Sequence, residues 1–322
     1  MVKLSIIIVL YNEFDLVKQC IRSVYEDTIP DTEIILVDNS SEKKGVQKLI
    51  KKFSKIKYIK NKKNLGFSRA ANIGFRNARG KFLLLLTPDT ILIRGTIIST
   101  VRYIANHPSI ALVGCRVYSE PKRFHLSAFH SFPNLLTHFF EYNVLFYKLC
   151  RLINKDYHPA FYSREDHRRR LFAKHIIGAY LLLRAEAGRM VNFFDESYFM
   201  YREETDLCKK LCDNNWKIVY LPVGGLIHYS NPSKLNVIAQ CLPHYQESTY
   251  VFFKKHYGLF YALAAWMTAF VSSIINIPIL AATIIVKKIF GKDSQSKMLL
   301  GCFLKIFRWH IESGLKVVFL KQ

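Results

Sequence analysis

Lys81-Phe-Leu-Leu-Leu-Leu-Thr-Pro-Asp-Thr90 holds an unbroken apolar run, Phe82 to Leu86, that stops abruptly at Thr87-Pro88-Asp89. Length, apolarity and the proline stop predict a strand buried on both faces. A carboxylate just past the C-terminal end of such a strand lies where open α/β sheets bind ligands. Working outward, Leu4-Ser-Ile-Ile-Ile-Val-Leu10 and Glu33-Ile-Ile-Leu-Val37 read as two more buried strands. They end in Tyr11-Asn12-Glu13 and Asp38-Asn39-Ser40-Ser41, so polar residues gather at one lip of the sheet.

Helices are expected between these strands. One spans residues 16–25, with Asp15 placed to cap it and Leu16, Cys20 and Val24 on one face. A lysine-rich helix at 46–53 and a short strand at 57–60 follow. Asn64-Leu-Gly-Phe-Ser-Arg-Ala-Ala-Asn72 opens a helix that runs to near Gly80, with Ser68 as its cap. Gly66 permits a tight turn there. Arg69 falls in the first turn, where it either meets a phosphate beside the backbone donors or is an ordinary surface arginine. A helix at 95–106 and strands at 110–114, 176–183 and 217–221 complete an alternating pattern of the doubly wound type.

The chain has 322 residues, half of them hydrophobic, and a formal net charge of +23. That charge points to an anionic partner: a membrane face, a phosphorylated substrate or nucleic acid. No nucleic-acid-binding motif accompanies it. The seven cysteines form no Cys-x-x-Cys pair, which fits a reducing compartment. Cys208 and Cys212 read as small buried helix residues rather than metal ligands. No signal peptide is legible at the N-terminus, so a cytosolic location is expected for the catalytic part.

Residues 118–170 interleave aromatic and basic side chains with little periodicity, and a groove for a lipid-linked phosphate is favoured over single-stranded nucleic acid. Arg164, Arg168, Arg169 and Arg170 read as a solvated or membrane-facing helix face rather than individual ligands. Glu203, Glu204 and Asp206 crowd one turn at a helix start. They either compensate the helix dipole or, by mutual repulsion, raise a carboxylate pKa to suit a general base. A lone histidine such as His228 is more often structural than a ligand.

Residues 257–286 lack Asp, Glu, Lys and Arg and exceed the length needed to cross hydrocarbon, with Asn276 and Pro278 inside. They read as one kinked span or two half-length interfacial helices. Lysines at both ends favour an in-plane or re-entrant hairpin with cytosolic flanks. The tail at 297–322 reads as a basic amphipathic helix lying on anionic lipid.

In order, Ile-Ile-Val-Leu-Tyr-Asn-Glu, Leu-Val-Asp-Asn-Ser, Asn-Leu-Gly-Phe-Ser-Arg-Ala-Ala-Asn, Leu-Leu-Leu-Leu-Thr-Pro-Asp-Thr, Phe-Asp-Glu-Ser-Tyr-Phe-Met-Tyr-Arg-Glu-Glu-Thr-Asp-Leu-Cys and Ile-His-Tyr resemble the family 2 glycosyltransferases, in particular their rhamnosyltransferase-like branch. The resemblance covers about residues 3–232. It implies an α/β GT-A fold, Rossmann-like, with a mostly parallel central sheet and C-terminal membrane-associated helices. The expected division is a GT-A domain at 1–250, carrying the insert at 118–170, and membrane-associating helices at 251–322.

By the same resemblance Leu10, Tyr11, Glu13 and Asp38 hold the nucleoside, with Asp38 facing the base. Asn64 and Arg69 belong to the nucleotide-side loop. Asp89 ends the metal motif, and His228 completes the metal or diphosphate site for Mg2+ or Mn2+. Glu204 is the implied catalytic base, with Glu203 as the fallback. Thr87 stands where the family commonly has Asp or Asn, and Glu204 replaces the usual Asp.

The implied activity is an inverting transfer of rhamnose from dTDP-rhamnose to a polyprenyl-diphosphate-linked glycan. It would take place at the cytoplasmic face of the bacterial inner membrane. The implied partners are the nucleotide-sugar donor, that glycan and an anionic membrane surface, with no nucleic acid. A UDP-sugar donor and a catalytically impaired membrane scaffold are the alternatives.

Overall fold

The computed structural model describes residues 3–40, 56–120, 123–124, 129–143, 166–229, 235–289 and 295–320, with residues 53, 146, 150 and 152 between them. All but residue 53 of the lysine-rich helix expected at 46–53, and nearly half of the insert at 118–170, lie outside the described residues. Along the chain come β1 (Leu4–Leu10), α1 (Phe14–Asp27), β2 (Thr32–Asp38), β3 (Ile56–Lys60), α2 (Phe67–Asn77), β4 (Phe82–Leu86) and β5 (Thr90–Leu92). Next are α3 (Thr96–Ala105), β6 (Ile110–Gly114), β7 (Val117–Glu120), β8 (Arg123–Phe124), β9 (Phe129–His130) and α4 (Leu135–Tyr142). Then follow β10 (Leu171–Phe172), β11 (His175–Ile176), β12 (Tyr180–Arg184), α5 (Ala185–Met190), α6 (Glu203–Asp213), β13 (Lys217–Tyr220) and β14 (Leu226–His228). The chain closes with α7 (Leu235–Tyr257), α8 (Leu259–Ile289), α9 (Gln295–Trp309), a π turn at His310–Gly314 and α10 (Leu315–Leu320).

These elements form two compact units: residues 1–132, 161–199 and 203–230, and residues 133–160, 200–202 and 231–322. In the first, an eight-stranded sheet has the order β10-β13-β6-β12-β4-β1-β2-β3. β1 pairs in parallel with β2 and β4, β2 with β3, and β6 with β13. The mostly parallel α/β sheet expected from the sequence is therefore present, with β10 and β12 as antiparallel members. Every residue of β1, β4, β6 and β12 is buried. That burial is why these strands read as continuous apolar runs instead of alternating ones. A second sheet, β5-β14-β7-β8, and the pair β11-β9 complete the unit.

Local readings needed correction at several points. The strand expected at 176–183 is two strands, broken at Ile177-Gly178-Ala179. Ile176 packs so closely over Gly114 that a Cβ on that glycine would sit 2.4 Å from its Cγ2. Asp15 lies inside the first turn of α1 and does not cap it; Glu13 occupies the cap position, without a side-chain bond. Ser68 likewise lies inside α2, whose cap is Gly66.

The second unit is helical. α8 is one continuous helix with Pro278 inside it, so the hairpin expected at 257–286 does not form. A proline removes one backbone donor, but no glycine accompanies it to turn the chain. Asn276 is buried and donates to the carbonyls of Tyr142 and Ser272. Asn143 donates to the Ser272 hydroxyl, and His138 Nε2 lies 3.0 Å from the Ala265 carbonyl, so α8 is stitched to α4 by polar bonds. Ala269, Leu280, Phe303 and Ile306 join Tyr142 in an apolar cluster between α4, α8 and α9. By length and composition alone, Leu259–Ile285 could cross a membrane.

Candidate functional site

The site is assembled at the C-terminal ends of the parallel strands. β4 delivers Asp89 there, and the chain turns at once into β5. β14 runs antiparallel to β5 with His228 opposite Thr90, and Tyr229 N–H donates to the Asp89 carbonyl at 2.9 Å. That register brings His228 Nε2 to 3.2 Å from Asp89 Oδ1. The preceding loop is fastened by Thr96, whose hydroxyl bonds both the N–H and the C=O of Gly225 at 2.8 Å. A carboxylate oxygen and an imidazole nitrogen this close suit one divalent ion between them.

No cluster of three or more His, Cys, Asp or Glu exists among the described residues, where Asp89 and His228 are a pair of candidate ligands. That matches the way Mg2+ is usually held, by one or two carboxylates together with substrate phosphates. Cys20, 3.7 Å from the Thr90 hydroxyl, is a thiol pushed up to about 12 by burial. The Thr87 hydroxyl is buried and has no hydrogen-bond partner among the described residues.

Beside this pair, the ends of β1 and β2 build a braced polar edge. Leu10 is buried and Tyr11 is exposed at the lip. Asn12, in the left-handed region at φ 55°, donates its N–H to the Ser40 hydroxyl at 2.9 Å. Glu13 opens α1. Asp38 is buried; its Oδ2 accepts from Tyr58 at 2.7 Å and Lys60 at 2.9 Å, and its Oδ1 from Ser40 N–H at 2.9 Å. Burial works against its charge, but these bonds prevail and hold the carboxyl below the usual carboxylate range. Tyr58 and Lys60 carried no signal in the sequence beyond their place on a short strand.

Asn39, also missed, joins the next loop. Its Nδ2 donates to Asn64 Oδ1 at 2.7 Å, and its Oδ1 accepts from Asn61 and Leu65 N–H at 3.0 Å. Gly66, at φ 83° and ψ 167°, adopts backbone angles essentially restricted to glycine. A Cβ there would lie 2.6 Å from the Phe199 carbonyl, which accepts from Phe67 N–H at 2.7 Å. Arg69 is exposed and lies 3.7 Å from Glu196. Asn72 exchanges bonds with the Phe194 backbone, so the 64–72 segment is fixed to residues 194–199.

The acidic cluster starts α6. Asp206 is fully buried, 3.3 Å from Lys210 Nζ and bonded by Tyr198 OH, and so serves the fold. Glu203 is 6% exposed, and burial followed by repulsion from Glu204 raises its carboxyl well above the ordinary range. Glu204, 19% exposed, lies 3.6 Å from Nε2 of buried His175. The His130 ring packs on His175 at 3.9 Å. His175 was not legible as a site residue, because β9 and β11 bring its neighbours together across a long insert.

The sheet register relates the acids to Asp89. Tyr180, at the start of β12, pairs with Leu86, the last residue of β4. His175 is five residues before it, within roughly 18 Å even if fully extended. Ile176 covers Gly114 at the end of β6. Glu204 and Asp89 therefore occupy the same end of one sheet.

A family model described as Glycosyl transferase family 2 matches residues 5–176. Rhamnosyltransferase WbbL of Escherichia coli (strain K12) is 24% identical over 252 residues, spanning 76% of this chain and 90% of that protein. N-acetylglucosaminyl-diphospho-decaprenol L-rhamnosyltransferase of Mycobacterium tuberculosis is 37% identical over 90 residues, 28% of this chain and 29% of that protein. Mannosyltransferase PcManGT from Pyrobaculum calidifontis, solved with GDP-Man and Mn2+, superposes with a TM-score of 0.58 at 14% identity, covering 99% of this chain and 88% of its own. The likeness extends to the fold, which is GT-A.

Proposed function

The chain belongs to glycosyl transferase family 2, and from that premise we propose that it transfers rhamnose from dTDP-rhamnose to a lipid-linked saccharide by single displacement with inversion. The observation that carries this reading is the Asp89–His228 pair at the same sheet end as the Glu204 carboxylate. Two relatives are named rhamnosyltransferases, and the name of one includes a diphospho-decaprenol acceptor.

In this mechanism Glu204 takes the proton of an acceptor hydroxyl. That oxygen bonds to the anomeric carbon as the bond from that carbon to the diphosphate breaks, and the electron pair leaves with the diphosphate. His175, whose Nε2 lies 3.6 Å from Glu204 Oε1, packs beside that carboxylate and limits where it can point. Burial and then the charge of Glu204 raise the Glu203 carboxyl well above its ordinary range, which disfavours a second anion beside Glu204. The Asn39–Asn64 bonds and the Asp38 brace keep the nucleoside wall rigid before the donor arrives. Asp89 and His228 would hold Mg2+ or Mn2+, which when bound neutralises charge developing on the leaving diphosphate. The helical unit keeps the enzyme on the cytoplasmic face of the bacterial inner membrane, within reach of its acceptor.

The test is a melting-temperature panel of dTDP-, UDP- and GDP-sugars with Mn2+. A ligand at about a hundred times its Kd adds about 2.7 kcal/mol of stability. dTDP-rhamnose should give the largest rise, followed by transfer to a polyprenyl-diphosphate-linked acceptor. A rise with a UDP-sugar and none with dTDP-rhamnose would refute the donor assignment.

A further inference from the structure

We propose that the helical unit is monotopic: α8 lies in the plane of an anionic bilayer, its apolar stripe among the acyl chains, and does not cross the bilayer. This rests on the membrane reading above and fixes its geometry.

The burial of α8 divides the helix lengthwise. Ala262, Ala265, Ala269, Ser272, Ser273, Asn276 and Leu280 are buried against the rest of the unit. Met267, Val271, Ile274, Ile275, Ile279 and Ile285 are exposed, and Phe260 at the start is 87% exposed. Spacings of three and four put the exposed positions on one face. Only 28% of the most apolar window is buried, so α8 is not the core helix of a soluble bundle. A continuous apolar stripe of this length marks a surface that is covered in use.

Two geometries would cover it with lipid, and the neighbouring helix separates them. The 27 residues of Leu259–Ile285 measure roughly 40 Å at ~1.5 Å per residue, enough to cross hydrocarbon of ~30 Å. Residues 307–314 run beside the first half of α8. Phe307 stacks on Phe270 at 5.5 Å, His310 lies 6.0 Å from Trp266, and a Cβ on Gly314 would meet Trp266 Nε1 at 2.6 Å. This neighbour carries Arg308 and Glu312, paired at 2.7 Å and 81% and 55% exposed. Exposed Lys305 and Lys316 flank them.

If α8 crossed the bilayer, that exposed ion pair would lie within the hydrocarbon, level with Trp266 and Phe270, where charged side chains are disfavoured. With α8 in the plane, Lys305, Arg308 and Lys316 remain at headgroup level, where basic residues attract anionic lipid. The net charge of +23 agrees with a negatively charged surface as the occupant.

Two measurements on the full-length chain test this. In the first, the protein is floated with vesicles of phosphatidylcholine alone or mixed with phosphatidylglycerol. Binding should require the anionic lipid. V271E/I275E should weaken it by at least about a hundredfold, since two side chains that bury apolar surface are replaced by charges. Both positions are exposed, so unchanged circular dichroism and melting temperature are expected of this variant. Failure of the parent chain to float with either vesicle, or a stripe buried in a dimer that ignores lipid, would overturn both the proposal and the membrane reading.

In the second, L259C and K288C are exposed separately to a membrane-impermeant maleimide in intact inverted inner-membrane vesicles, with the parent chain as background. Labelling of both without detergent is expected. Protection of one until detergent is added would show a crossing helix, overturning the in-plane geometry while leaving membrane association standing.

Discussion

Replacing Glu204 by Gln keeps the shape of the side chain and removes the charge that accepts the proton. General-base catalysis contributes roughly 10²- to 10⁴-fold, equivalent to about 3–5 kcal/mol at ~1.4 kcal/mol per tenfold. Turnover by E204Q should fall by that factor while the KM for the donor stays within about threefold, since the lost interaction is made only in the transition state. The adjacent E203Q behaves differently for a structural reason. Burial, then repulsion from Glu204, raises the Glu203 carboxyl pKa and favours its neutral form, so its replacement by the neutral amide should cost less than about tenfold. E204Q has a second signature. With the like charge gone, Glu203 releases its proton more readily, and the residual rate should climb with pH. The assay is steady-state release of nucleoside diphosphate across pH 5.5–9, with donor binding measured separately by calorimetry. A hundredfold loss in E203Q beside near-normal turnover in E204Q would refute the reasoning.

Other consequences follow from the same structure. Because the fold raises the Glu203 pKa above its ordinary 4.5, its stabilising form is the protonated one, and that contribution is lost as pH rises above 4.5. E203Q should therefore melt higher than the parent by a margin that is larger at pH 8 than at pH 5; a margin that shrinks with pH would contradict the assignment. H175A removes the group 3.6 Å from Glu204 and should lower kcat by about tenfold with the donor KM unchanged, whereas a rise in KM alone would point to a binding role. Gly66→Ala forces a Cβ to 2.6 Å from the Phe199 carbonyl at glycine-only backbone angles, costing roughly 1–3 kcal/mol for the backbone and about 1 kcal/mol for the Phe67–Phe199 bond. Its melting temperature should drop by several degrees, and an unchanged value would show that the 64–72 segment is not held as described.

What was legible in the sequence follows the physics of each feature. β4 could be read because a strand buried on both faces needs an unbroken apolar run, and Pro88 marks its end. Asp89 was found by its position, but its contact with His228 depends on antiparallel pairing of β5 with a strand far along the chain. No local pattern encodes that pairing, and only the ordered set of motifs suggested it. His175 stayed hidden for the same reason, since its relation to Glu204 is created by tertiary packing. Asp38 was visible as a strand-end acid, whereas the Tyr58 and Lys60 bonds that hold it were not. In α8, the apolar composition was plain, but the lysines at both ends were read as favouring a hairpin that the continuous helix does not make. What keeps the helix whole is the polar stitching of Asn276 to the Tyr142 and Ser272 carbonyls.

The account depends most on one sugar being held between the Asp89–His228 pair and Glu204. A crystal structure of the E204Q protein soaked with intact dTDP-rhamnose and Mn2+ tests this most directly, because the anomalous signal locates the metal independently of the sugar. The expected result is a single Mn2+ bound by Asp89, His228 and the diphosphate, with the anomeric carbon facing residue 204 on the side opposite the leaving oxygen. Metal bound away from Asp89, or residue 204 turned from a fully occupied donor, would contradict it.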